Sequence, residues 1–186
     1  MIAETLIILF VIAIYKRYSF ENLSSLPERA WGFLAAFIGI KVIVFLCIKI
    51  GVDFGALRFF SLMSQTLLFA FLYFNRDYRG ILLVFIGSFL NFLVMLLNGL
   101  RMPINGEYYQ LIASPEAYQL TLDGASFHHF IMDQGTNFKF LADVIPFFRP
   151  YPFPKVVSIG DIILAVGILV LGLSVLKGDY VDEETV

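Results

Sequence analysis

Five apolar stretches set the terms on which this chain can fold. Trp31 to Ile50, Phe59 to Phe74, Ile81 to Asn98 and Val156 to Leu176 run without a proline, and a shorter one, Ile2 to Tyr15, carries Glu4 near its start. A helix needs about 20 apolar residues to cross about 30 Å of hydrocarbon, and the first four meet or approach that length. All 7 prolines fall outside the five stretches, as expected where each backbone hydrogen bond must close within its own helix. Composition agrees: 59% of residues are hydrophobic and 15% charged, against about 45–50% and about 25% in soluble domains. The expected fold is all-α, a single polytopic membrane domain with five transmembrane helices over roughly 2–15, 31–50, 59–74, 81–98 and 156–176.

Ile2 to Tyr15 differs from a signal peptide in lacking a basic start and a small-residue cleavage site; Lys16 and Arg17 follow it instead. It is read as a retained first helix. With five crossings, Lys16, Arg17, Arg29, Arg76, Arg79 and Lys177 gather on one side, which the positive-inside rule makes cytoplasmic. The N-terminus is then outside, and the acidic tail 177–186 is cytoplasmic.

The longest polar connection, 102–155, is expected to form an aromatic and proline-rich extracytoplasmic cap with short interfacial helices. Ser114-Pro115-Glu116 reads as N-cap, first-turn proline and first-turn acid of a helix ending before Gly124. Further amphipathic pieces are expected over Ser126–Met132 and Asn137–Ile145. Pro146 to Pro154, alternating proline with aromatic rings, suits an extended strip at headgroup level.

Net charge is −2 with no basic block, which argues against nucleic acid as a partner. His128 and His129 are adjacent, point about 100° apart if helical, and lack a third ligand at metal spacing, so neither a metal nor another cofactor is expected. Cys47, the one cysteine, excludes an intrachain disulfide. Ion transport is disfavoured because no membrane-central carboxylate or broken helix is visible.

Polar side chains inside apolar helices are costly and point to function. At 1.5 Å per residue, Lys41, Gln65 and Asn91 lie in one layer about 9–14 Å below the outer boundary. Asn98, Arg101, Ser158 and Asp161 lie nearer the surface, and Asn91 and Asn98 share one stripe of their helix. The polar site is expected to open outward.

Three motifs carry a resemblance. Asn98-Gly99-Leu100-Arg101-Met102-Pro103, Asp143-Val144-Ile145-Pro146 and Ser158-Ile159-Gly160-Asp161 resemble those of an uncharacterised family of small bacterial polytopic membrane proteins. That resemblance covers nearly the whole chain, implies the bacterial inner membrane and implies no activity. Over about the last forty residues, Asp143-Val144-Ile145 and Ser158-Ile159-Gly160-Asp161 also resemble the end of lipoprotein signal peptidases. This second resemblance implies an aspartic dyad of Asp143 and Asp161, one carboxyl protonated and the other activating water. Ser158 stands where those enzymes have asparagine, and their upstream glycine–asparagine motif is unmatched.

The favoured expectation is binding. Lys41, Asn91, Asn98, Arg101 and Ser158 would line an outward-opening cavity for an amphipathic ligand (an anionic lipid or lipid-linked group) or for a partner membrane helix. The alternatives are aspartic hydrolysis by Asp143 and Asp161, and a structural subunit or assembly factor of a membrane complex. Whether the chain is an enzyme stays open among them.

Overall fold

The computed structural model describes residues 1–52 and 54–179; the acidic tail beyond Asp179 lies outside the described residues. The long helices are α1 (Ile2–Lys16), α2 (Trp31–Lys49), α3 (Phe54–Met63), α4 (Gln65–Phe74), α5 (Ile81–Leu97) and α8 (Ile159–Lys177). Between α5 and α8 lie β1 (Met102–Ile104), α6 (Gly106–Ile112), α7 (Pro115–Leu122), β2 (His129–Ile131), β3 (Ile145–Phe147) and β4 (Lys155–Val157). Three helical stretches, Trp31–Lys49, Phe54–Phe74 and Ile159–Lys177, are long and apolar enough to cross a membrane, and α5 is an apolar helix of shorter length. Helix α2 is apolar apart from Lys41 and Lys49 and buries only Val44, while α1 buries only Thr5 and Ala13. Apolar helices with apolar side chains turned outward have the character of a membrane protein.

The third stretch departs from its expected form. It starts at Phe54 rather than Phe59 and is interrupted at Ser64, so α3 and α4 together make the span. At the break the Ser61 carbonyl accepts from Ser64 Oγ at 2.7 Å and from Lys41 Nζ at 2.7 Å. Leu67 N turns back to the Ser64 carbonyl, a tighter turn than the α ladder. Side-chain donors competing for a helix carbonyl are a recognised cause of such a break.

Helices α5 and α8 run antiparallel in backbone-to-backbone contact. A Cβ at Gly87 would stand 2.5 Å from the Gly160 carbonyl oxygen and from Leu164 N, and one at Gly160 would strike Asn91 Oδ1. Small residues are what allow apolar helices to pack this closely where no water drives them together. Farther down, Phe71, Leu72, Ile81 and Val84 form a buried cluster joined by Leu34, Ile168 and Leu171.

Both ends of the bundle are tied. At one end Arg29 meets Asp77 at 2.6 Å, Arg79 pairs with Asp179, and Asn22 donates to the Leu176 carbonyl. Asn75, fully buried, donates to the carbonyls of Arg29 and Phe71 and accepts from Arg29 N. At the other end Glu4 pairs with Lys155, and Arg58 donates to the carbonyls of Phe127 and Ser126. Successive segments therefore alternate in direction.

The region from β1 to β4 contains short strands, where short helices and one extended strip over Pro146–Pro154 were expected. Ser114 does cap α7, accepting from Ala117 N at 3.2 Å, but Ser126–Met132 supplies β2 instead of a helix. β2 pairs in parallel with β1, with Met102 opposite His129 and Ile104 opposite Ile131. Parallel strands need a crossover of a dozen or more residues, and α6 and α7 provide it. Asn137–Ile145 forms only a 3₁₀ turn at Lys139–Leu141 before entering β3. β3 pairs antiparallel with β4, so the start of the aromatic strip is hydrogen-bonded sheet and only its later part is irregular.

The α5–α8 contact yields a test. Overpacking typically costs about 1–3 kcal/mol, and the two atoms nearest a Cβ at Gly87 belong to the α8 backbone, which has nowhere to go. Gly87→Ala should lower the melting temperature in detergent by several degrees. Gly39→Ala, with nothing within 4 Å of its would-be Cβ, should leave it unchanged or raise it. Equal effects would contradict the close approach.

Candidate functional site

A cavity of about 440 Å³ lies between α2, the α3–α4 break and the segment entering β2. Its polar lining is Lys41, Arg58, Ser61, Gln65 and His128, set among apolar side chains such as Phe37 and Met95. The Lys41 amine reaches across from α2 to Ser61, donating to its carbonyl at 2.7 Å and to its Oγ at 2.9 Å. It also stands 5.4 Å from the Phe37 ring centroid. No carboxylate among the described residues pairs with it.

Arg58 closes the cavity from the side of β2. Besides gripping the Phe127 and Ser126 carbonyls, its guanidinium stands 5.6 Å from the Phe54 ring and 5.9 Å from the Phe127 ring. His128 follows directly. Burial pushes its ring below the ordinary histidine range, and the charges of His129, Lys41 and Arg58 push it the same way. The hollow thus sets three basic side chains, Lys41, Arg58 and His128, against an apolar wall.

Of the three residues placed at one depth by sequence, Lys41 and Gln65 share this cavity. Asn91 faces α8 instead, where it forms a closed triangle with Ser158 and Asp161. Asn91 Nδ2 donates to Asp161 Oδ1 at 2.9 Å, and Ser158 Oγ donates to Asn91 Oδ1 at 2.9 Å. Asp161 N donates to Ser158 Oγ at 2.9 Å, and Ser158 N to Asp161 Oδ2 at 3.1 Å, a complete capping box. The Ser158-Ile159-Gly160-Asp161 motif thus starts α8 and seats it on α5.

Asn98 and Arg101 also lie away from the cavity. Asn98 clamps the loop, donating to the carbonyls of Val94 and Asn137 and accepting from Asn137 N at 2.8 Å. Arg101 donates to the Gly124 carbonyl and stands 5.3 Å over the Phe130 ring, with a buried Nε that has no partner among the described residues.

Asp143 sits within the strands, its backbone bonded to Pro103 and Asn105. Its Oδ2 lies 3.4 Å from His129 Nε2, and its buried Oδ1 has no partner among the described residues. Burial raises its pKa above the usual carboxylate value; His129 opposes this, and the charge of Asp161 adds to it. Asp143 and Asp161 therefore feel each other, but both oxygens of Asp161 are already engaged.

Arg58, Ser61 and His128 went unrecognised in the sequence. Arg58 adjoins a short connection and Ser61 lies inside an apolar stretch, and neither residue type at those positions signals a site by itself. His128 had been weighed only as a metal ligand. Its position one residue before a strand, which turns it away from His129, was the missing information.

The raised Asp143 pKa has a definite sign. A carboxyl whose folded value exceeds its unfolded one contributes stability that is present in acid and lost as pH rises through the folded value. Asp143→Asn removes that loss. The variant's melting temperature relative to the wild type should climb from about pH 4 to about pH 7, and a difference independent of pH would contradict the assignment.

Among curated proteins, an uncharacterised protein of Thermotoga maritima (strain ATCC 43589 / DSM 3109 / JCM 10099 / NBRC 100826 / MSB8) is 32% identical over 108 residues, 58% of this chain and 59% of its own length. The chain thus spans about three fifths of that relative. No solved structure matches significantly. Residues 26–173 match a family of unknown function, DUF5317. The chain belongs to that family.

Proposed function

We propose that this protein crosses the bacterial inner membrane five times, with its N-terminus and the 102–155 cap outside, and binds the anionic headgroup of an amphipathic ligand in the Lys41 cavity. The observation that carries this reading is the Lys41 amine, set in an apolar helix and facing a hollow with no carboxylate partner among the described residues. A charge in that setting is expensive unless it serves something. Arg58, always protonated, meets the headgroup from the cap side, and the acyl or isoprenoid chain runs along Phe37, Val44 and Phe45 toward lipid. Asn91, Asn98, Arg101 and Ser158 serve the ligand indirectly by holding α5, α8 and the cap in register. The outward placement rests on the positive-inside rule applied to the short connections, where Lys16, Arg17, Arg29, Arg76, Arg79 and Lys177, six of the 13 basic residues, lie at the end away from the 102–155 segment.

Aspartic hydrolysis by Asp143 and Asp161 is a second reading. It is favoured by the buried Asp143 Oδ1, without a partner among the described residues, and by the charge of Asp161 acting on Asp143, and opposed by the full engagement of Asp161 in the cap of α8. It requires that Asp143→Asn abolish cleavage of a lipid-modified prolipoprotein.

The binding reading is tested with short-chain phosphatidylglycerol, whose single charge is constant across the pH range used. Native mass spectrometry from maltoside micelles should show it retained in preference to phosphatidylcholine. Lys41→Met should weaken retention about tenfold, a loss of about 1.4 kcal/mol. Because an anion favours protonated His128, retention should strengthen as pH falls below about 6.5, and His128→Gln should flatten that response. Equal retention of both lipids would refute the headgroup site, and a partner protein bound in place of lipid would favour the subunit role.

A further inference from the structure

The geometry points to Ser61 and Lys41 as a nucleophile–base dyad, which makes the cavity a site of acyl-ester hydrolysis as well as of binding. The inference rests on the reading of this hollow as a ligand site. Ser61 Oγ and Lys41 Nζ are 2.9 Å apart and both line the cavity. A serine hydroxyl is a weak nucleophile until an adjacent base takes its proton, and lysine serves in that role in some serine hydrolases. Lysines in ordinary ion pairs are poorly suited, because a carboxylate holds the proton in place. Lys41 has no such partner among the described residues.

The α3–α4 break fixes the pair. Ser64 Oγ and Lys41 Nζ both donate to the Ser61 carbonyl, which anchors the amine from a second direction and leaves the Nζ–Oγ contact as its reactive side. In the uncharged form of Lys41 the same contact reverses, and the hydroxyl donates to the amine. Arg58 remains charged in either state, so the headgroup keeps its cation while Lys41 acts as base.

The substrate class is an ester whose acyl carbonyl reaches Ser61 with an anionic group toward Arg58. Ser61 Oγ attacks the carbonyl carbon as its proton passes to Lys41 Nζ, and the carbonyl electron pair moves to oxygen. Gln65, whose side chain lines the same cavity, is the neutral donor available to that oxyanion. Collapse breaks the bond to the alcohol, which leaves with the proton from Lys41. Water then attacks the acyl-Ser61, giving its proton to Lys41, and a second collapse returns it to Ser61 Oγ with release of the carboxylic acid. No oxidant or metal enters the balance.

The test uses diisopropyl fluorophosphate, small enough for the cavity and indifferent to substrate identity. The purified wild-type protein in mild detergent should gain one phosphoryl adduct, mapped to the Ser61 peptide, at a rate rising between about pH 7 and pH 10. Ser61→Ala should abolish it and Lys41→Met should slow it at least tenfold. No adduct at Ser61, or one formed at a rate independent of pH and of Lys41, would overturn the dyad. Should Lys41→Met fail to fold, the wild-type pH profile still decides. Phosphatidylglycerol retention without an adduct would sink the dyad and leave the binding reading standing; an adduct without retention would do the reverse.

Discussion

Two helix backbones touching at Gly87 and Gly160 hold the rest of the molecule in place. Lipid tails give apolar helices no reason to prefer each other over solvent, so association must come from close packing and from polar groups that pair across the interface. Here the two sources coincide. The missing Cβ atoms bring α5 and α8 together, and that proximity lets Asn91 reach the capping box of Ser158 and Asp161. The start of α8 is thereby pinned, and with it β4, the β3–β4 ribbon, and the loop that Asn98 clamps.

The β1–β4 segment so anchored returns to α3, where Arg58 grips the strand entry at Ser126 and Phe127. This closes a hollow over a lysine that a membrane helix would otherwise expel. The cost of Lys41 is offset locally by Ser61, and the same hydrogen bonds contribute to dividing Phe54–Phe74 into α3 and α4. A broken helix, an inward-facing cation and a cavity are one arrangement seen from three sides.

Much of the frame was legible in the sequence because proline exclusion and run length report directly on what lipid tolerates. Four of the five expected helices match those observed to within about three residues at either end, as boundary fraying alone allows, and the Ser114 cap was readable from three residues. The break at Ser64 was not, since it depends on a lysine 23 positions away along the chain. The strand β2 was missed because its alternation is short and its partner, β1, lies beyond two helices. The candidate site was legible by depth and not by direction. Lys41 and Gln65 line one cavity, but which way a helix faces is set by its neighbours, and Asn91 faces α8, where it bonds Ser158 and Asp161.

The account stands on a water-filled hollow at Lys41 that opens on the side of the cap. In a Cys47→Ser background reconstituted into liposomes, Gln65→Cys lines that hollow, Leu111→Cys marks the exposed cap and Val42→Cys faces lipid. A membrane-impermeant thiol reagent should modify Gln65→Cys from the same side as Leu111→Cys and leave Val42→Cys untouched. Gln65→Cys as inert as Val42→Cys, or reactive only from the opposite side, would contradict it.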